Sequence, residues 1–269
     1  MEAPPMSKAR LEGKVAVITG AASGIGEAAA RLFVENGARV VIADVQDELG
    51  EAVAASIGGP DKCRYKRCDV REEGQVAAAV AFAVEKYGSL DVMYSNAGVA
   101  GPAAGIMDLD LGDLDATMAV NFRGTAAAIK HASRAMAAAG TRGSIICTAS
   151  VSATVAGLGP HAYTVSKHAI VGLARSAAAE LGKHGIRVNC VSPFGVATPL
   201  ACGISGCDAA ETEARTAAVS NMKGMILKPR NVAEAALFLA SDDSAFVSGH
   251  DLVVDGGFTV VDFTCNIYK

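Results

Sequence analysis

The sequence predicts an α/β protein built as a doubly wound parallel sheet of about seven strands with helices on both faces. Three observations predict it. Short β-branched runs alternate with longer alanine-rich amphipathic stretches along the whole chain. Most of the short runs are continuously apolar, as strands buried on both faces must be. The first run passes through a glycine-rich turn straight into a helical pattern, the start of a right-handed strand–helix–strand crossover.

Val15–Thr19 is the first strand, and Thr19-Gly-Ala-Ala-Ser-Gly-Ile-Gly26 follows it. Gly20 lets the chain turn sharply, and Gly24 and Gly26 let backbone and helix approach a pyrophosphate at the helix N-terminus, with Ser23 and Ile25 completing the cradle. The G-x-x-x-G-x-G spacing differs from the G-x-G-x-x-G of the common Rossmann fingerprint. A helix over 24–36 and a strand over 39–43 come next. Asp44 ends that strand, where a carboxylate can accept hydrogen bonds from the adenosine ribose hydroxyls. A 2′-phosphate would meet like charge there, and Ala21, Ala22, Ser23 and Val45 offer no compensating cation. NAD is therefore expected over NADP, and Arg39 begins the strand at the far end from the site.

A helix over 46–57, a strand over 63–68 and a helix over 72–87 complete the first half. Just past the third strand, Asp69 is placed to reach the adenine amino group with Val70 packing on the ring, or else to cap the following helix. A fourth strand over 90–95 leads into Asn96-Ala97-Gly98, small residues that let the backbone pass close to a cofactor. A long helix is expected over 111–138, strands at Ser144–Thr148 and 186–191, a helix over 161–183, a helix over 232–241 with Asn231 and Glu234 as its capping box, and a last strand at Asp251–Val254. Residues 99–110 and 194–230 break the rhythm. Both follow strand ends, where open parallel sheets bind ligands, so they are candidate substrate walls. Their apolar residues are Ile106, Met107, Phe194, Leu200, Ile204, Met222, Met225, Ile226 and Leu227.

The chemistry gathers in the second half. Tyr163 and Lys167 stand one helical turn apart, on one face, and Ser150 follows an apolar strand. A phenol titrates near ~10, and a fixed ammonium beside it favours the phenolate. Ser150 can then hold a substrate oxygen while Tyr163 exchanges its proton, which suits removing hydrogen from an alcohol or returning it to a ketone. Taken alone, a Tyr-x-x-x-Lys pair is more often a surface pair on a helix.

The composition narrows the partners. Of the 269 residues 51% are hydrophobic and 19% charged, with net charge −4, so no basic face invites nucleic acid or an anionic membrane. The seven cysteines are odd in number and lack C-x-x-C spacing; Cys147 and Cys190 sit in apolar runs, and Cys202 and Cys207 have no nearby histidine for zinc. No metal site, signal peptide or membrane-spanning stretch is expected, and the default address is the cytosol.

Together, Thr19-Gly20-x-x-x-Gly24-x-Gly26, Asn96-Ala97-Gly98, Asn121, Ser150 and Tyr163-x-x-x-Lys167 resemble a classical short-chain dehydrogenase/reductase over essentially the whole chain. The run Val188-Asn-Cys-Val-Ser-Pro-Phe-Gly-Val-Ala-Thr-Pro199 is similar to a plant subgroup of that family. The resemblance implies that Tyr163 is the acid/base, that Ser150 holds the substrate oxygen and that Lys167 holds the nicotinamide ribose and lowers the tyrosine pKa. It also implies that Asn121 holds a water linking Lys167 to solvent, and that Val196 and Thr198 fix the nicotinamide carboxamide. Ser95 departs from the usual Asn-Asn-Ala-Gly, and Phe194 stands where many relatives have glycine. A homotetramer is implied, with the tail from Phe258 onward lying on a neighbour; a monomeric mass in light scattering would contradict it. The expected reaction is hydride transfer from an apolar, terpenoid-type secondary alcohol to NAD. The alternatives are an NADPH-linked ketone or 3-oxoacyl reductase, disfavoured by Asp44, and a non-catalytic dinucleotide-binding protein.

Overall fold

The computed structural model describes residues 9–261. Seven parallel strands form one sheet: β1 Val15–Thr19, β2 Arg39–Asp44, β3 Cys63–Arg67, β4 Val92–Ser95, β5 Ser144–Thr148, β6 Arg187–Pro193 and β7 Asp251–Val254. Their order is β3-β2-β1-β4-β5-β6-β7, so the winding reverses between β1 and β4. That reversal opens a crevice at the carboxyl ends of these two strands.

Helices cover both faces because the strands are apolar on both sides. On one face α1 (Gly24–Glu35), α2 (Asp47–Ile57) and a late helix over Pro229–Ala240 bury Phe33, Val53 and Leu237 against Ile18, Ile42 and Tyr94. On the other, α3 (Glu73–Tyr87) and the helices Gly124–Ala139 and His161–Leu181 bury Val76, Met136 and Ile170 against Val17, Met93 and Ile145. β3 is the exception to the apolar strands: Cys63-Arg-Tyr-Lys-Arg67 alternates, and it forms the sheet edge. The strand predicted over 63–68 ends at Arg67, leaving Cys68 outside it.

Three expectations need correction. The stretch predicted as one helix over 111–138 is α4 (Leu111–Met118), a widened π turn over Ala119–Arg123, and α5 (Gly124–Ala139). Asn231 is not the cap of the last helix: Pro229 takes its first position, Lys228 precedes it, and Asn231 Oδ1 accepts the Lys228 N–H at 2.9 Å. The region after β6 carries helices of its own. With α6 at His161–Leu181, these are α7 (Pro199–Ser205) and α8 (Ala209–Val219), and the late helix is α9 (Pro229–Ala240).

The six cysteines among the described residues are free thiols, with Cys147 and Cys190 fully buried on adjacent strands. No helix there is long and apolar enough to cross a membrane. The predicted contact of the C-terminal tail falls mostly outside the described residues.

Candidate active site

One cleft of about 740 Å³ runs along the carboxyl edge of the sheet. Gly20, Ser23, Gly24, Ile25, Asp44, Asp69 and Val70 line one end; Asn96, Ala97, Gly98, Ser150, Tyr163, Lys167, Val196 and Thr198 line the rest. Gly26 and Asn121 do not reach the surface of the cleft; they act from behind it.

The turn after β1 is built on close contact. Gly20 has φ +65°, and a Cβ there would stand 2.7 Å from Ala97 Cα. At Gly26 a Cβ would strike the Gly20 carbonyl and the Asn96 amide, so this glycine lets helix and turn pack together rather than touching a ligand. Ser23, at the start of α1, makes no side-chain capping bond. The first-turn N–H groups of α1 are thus left to the cleft, an arrangement that fits a pyrophosphate. Thr19 Oγ1 accepts the N–H groups of Asn96 (3.0 Å) and Ala97 (3.1 Å), tying the β1 and β4 turns together.

Asp44 is 5% exposed, and its carboxylate accepts N–H groups from Ala22 (2.9 Å) and Gln46 (3.1 Å). These two bonds hold the charge rigidly at one end of the cleft. Asp69 pairs with Arg71 at 2.5 Å, which holds its carboxyl below the usual range, and its Oδ1 accepts the Arg71 N–H. The helix α3 begins at Glu73, so Asp69 is not its cap. Val70 packs over Gly124, where a side chain would collide with it.

In the middle of the cleft, Ser150 lies two residues past the end of β5, and Tyr163 and Lys167 lie on the first turns of α6. The Ser150 hydroxyl stands beside the Tyr163 phenol, near enough to favour the phenolate. Lys167 Nζ lies 5.3 Å from the centre of the Tyr163 ring and donates to the Thr148 carbonyl at 2.7 Å. The expected lowering of the phenol is not met in the protein alone. Burial pushes Tyr163 above its ordinary value, and the neighbouring Ser150 hydroxyl pulls it only partly back. Burial also brings Lys167 down to about 8, so the ammonium is itself disfavoured there.

A measurable pH effect follows. Between about 8 and 10.5 the unfolded chain keeps the Lys167 proton while the folded one releases it, so the cost of burying this charge is full below 8 and gone above 10.5. Relative to Lys167→Met, the wild type should gain about 3 kcal/mol of stability as the pH rises across that window. Urea unfolding of both proteins checks it; a difference that ignores pH would refute it.

Asn121 is fully buried in the π turn. Its Oδ1 accepts the Val99 N–H (2.8 Å), and its Nδ2 donates to the Val99 carbonyl (2.8 Å) and to Ser166 Oγ (2.9 Å). The amide is spent on bracing the β4 loop, so a water beside Lys167 would have to use the main chain of the widened turn. Gly98 lies between them, with its Cβ position 3.3 Å from Asn121 Oδ1 and 3.7 Å from Lys167 Nζ. Ser95, the departure from the family pattern, bonds Thr125 Oγ1 at 3.1 Å and so ties β4 to α5.

Beyond Tyr163 the cleft turns apolar, walled by Val99, Leu158, Phe194, Leu200 and Ile204. Phe194 stacks on Phe258 with ring centres 4.3 Å apart, and its N–H bonds the Val254 carbonyl, so the substituted position continues the sheet. Of the other expected wall residues, Ile106 and Met107 project from an exposed turn, Met222, Met225 and Ile226 are exposed outside the cleft, and Leu227 packs on the core. Thr198 starts α7, accepts the Ala201 N–H, and lies 3.3 Å from the Cβ position of Gly24. Sequence reading missed Thr148, which acts through its carbonyl and leaves no side-chain signature, as well as Thr212, Arg215 and Thr216 on the cleft face of α8.

A seven-stranded doubly wound sheet with Ser150, Tyr163 and Lys167 at its carboxyl edge defines a dinucleotide-dependent oxidoreductase. The chain belongs to the short-chain dehydrogenase/reductase family. Residues 20–259 match the profile described as "Enoyl-(Acyl carrier protein) reductase". The chain is 60% identical to short-chain dehydrogenase reductase 3b of Arabidopsis thaliana, over 95% of this chain and 99% of that one. It is 55% identical to momilactone A synthase of Oryza sativa subsp. japonica, over 97% and 95%. Among solved structures, a short-chain type dehydrogenase/reductase from Mycobacterium marinum superposes with a TM-score of 0.86 at 33% identity, covering 94% of this chain and 98% of that one.

Proposed function

We propose that the protein oxidises an apolar, terpenoid-type secondary alcohol to the ketone with NAD, acting in the cytosol as a homotetramer. The observation that carries the reading is the meeting of Ser150 and Tyr163 in one cleft with Lys167 behind the ring, set between a carboxylate-closed end at Asp44 and an apolar wall. Asp44 favours a cofactor with free ribose hydroxyls, and the similarity to momilactone A synthase supports a small-molecule alcohol from plant metabolism.

A nicotinamide, when bound, would supply the hydride acceptor; everything else falls to the chain. Val196 and Thr198 border the cleft where the carboxamide would sit, and Lys167 stands where it can hold the ribose. The alcohol oxygen lies between Ser150 and Tyr163. Tyr163 as phenolate takes the hydroxyl proton as the carbon gives up hydride, and Ser150 donates to the oxygen so that its position is fixed. Lys167 stabilises the phenolate, and a water on the main chain near Asn121 would pass the alcohol proton from Tyr163 out to solvent, restoring the phenolate. The apolar walls exclude bulk water from the reacting carbon.

Borneol and a panel of cyclic terpenoid secondary alcohols, followed by NADH absorbance, test this. Turnover with NAD, and little with NADP, is expected. No oxidation with NAD, together with reduction of ketones by NADPH, would establish the reductase alternative instead.

A further inference from the structure

Two arginines stand near the Asp44 end of the cleft, Arg71 in its lining and Arg67 behind it, and each is matched by a carboxylate. Arg71 is held by Asp69, as described. Arg67, on the edge strand, donates from Nη1 to the Val45 carbonyl (2.9 Å) and to Asp47 Oδ2 (2.6 Å). Val45 lines the cleft beside Asp44 and is 47% exposed, so the guanidinium is bonded to the cleft wall from behind, one residue from Asp44. This is the cation that reading the residues around position 44 fails to find, because it comes from the neighbouring strand.

Asp47 is built into its place. It is the first residue of α2, where the helix dipole favours a negative charge. Its other oxygen, Oδ1, accepts the Tyr65 hydroxyl at 2.6 Å, and the same hydroxyl lies 2.8 Å from the Asp44 carbonyl. The Tyr65 ring lies flat against Gly50, where any side chain would collide with it. A closed ring of contacts thus runs from Asp44 through Tyr65, Asp47 and Arg67 back to Val45. Remove the Asp47 charge, and the N-terminus of α2 and the Arg67 guanidinium would converge on one point as a ready phosphate site.

We propose that Asp47 is a specificity-determining residue: it occupies and neutralises a latent 2′-phosphate site formed by Arg67 and the N-terminus of α2. The inference rests on the reading of this cleft as an NAD site and deepens it. Asp44 repels the phosphate from within the cleft, and Asp47 disables the cation that would otherwise attract it.

Equilibrium binding of NAD and NADP to the full-length protein, by calorimetry at low salt, tests it without any alcohol substrate. In Asp47→Asn, which keeps the shape, the ratio of NADP to NAD dissociation constants should fall about tenfold. The change should come through tighter NADP binding and should fade in high salt. In Asp47→Asn/Arg67→Met the ratio should return to the wild-type value. Asp47→Ser provides the same test should the asparagine variant fold poorly by circular dichroism. A ratio unmoved in the single variants, or a fall that survives Arg67→Met, would overturn the inference. Were the wild type itself to bind NADP as tightly as NAD, the NAD reading would fall. Were it to prefer NAD with Asp47→Asn unchanged, only the role of Asp47 would fall.

Discussion

Tyr163→Phe should lose alcohol oxidation, with kcat down by a factor of about 10² to 10⁴, while NAD binds as before. The substitution keeps the ring, its packing and its distance from Lys167, and removes only the phenol oxygen beside Ser150. No other side chain of the central cleft can replace that oxygen as a base: Lys167 is turned onto the Thr148 carbonyl, and Ser150 has no partner of its own to take up its proton. Burial holds the phenol above its ordinary value, so wild-type oxidation should also speed up as the pH rises past neutrality and phenolate accumulates. That rising limb should vanish in the variant. Steady-state rates across pH, paired with calorimetric NAD binding, check both parts. Near-normal turnover by Tyr163→Phe would remove the residue from the chemistry.

Asn121→Ala should be the most damaging of the substitutions that touch no ligand. It removes the partners of the part-buried Val99 N–H and carbonyl in the cleft wall, together with the donor to the buried Ser166 Oγ. Stranding such groups costs about 1–3 kcal/mol each, so a loss of about 2–4 kcal/mol is expected in urea unfolding after partial relaxation. Because Val99 belongs to the apolar wall, the KM for the alcohol should rise more than the KM for NAD. A stability change below about 0.5 kcal/mol would mean the brace carries little.

How far the sequence can be read follows from what each feature depends on. Most strands are legible because parallel strands must be apolar on both faces, as in Ile145-Ile146-Cys147, while the edge strand β3 shows instead the alternation of Cys63-Arg-Tyr-Lys-Arg67. The glycine turn, Asp44, Ser150, Tyr163 and Lys167 are legible because each depends on residue type and local spacing, and the fold does bring them to one cleft. The π turn at Asn121 is not: a helix that gains one residue in a turn keeps nearly the same apolar pattern. Helices α7 and α8 escape for a different reason, since Ala209-Ala-Glu-Thr-Glu-Ala-Arg-Thr-Ala-Ala-Val219 buries only Thr212 and carries no apolar stripe. The methionines fail as wall residues because an apolar side chain in an irregular segment says nothing about which way it points. The Asp47–Tyr65–Arg67 ring is hidden because its members sit on two separate stretches, the start of α2 and the edge strand β3, and meet only through the pairing of β2 with β3.

The cleft draws its two ends from separate stretches of chain. Its glycine-turn end, with Asp44, comes from residues before 100, and its apolar end almost wholly from residues after 148, with α7 and α8 adding no strand to the sheet. Drift in those two helices can therefore reshape the apolar end while the glycine-turn end stays as it is. The contact of Thr198 with Gly24 is the seam that such tinkering must respect.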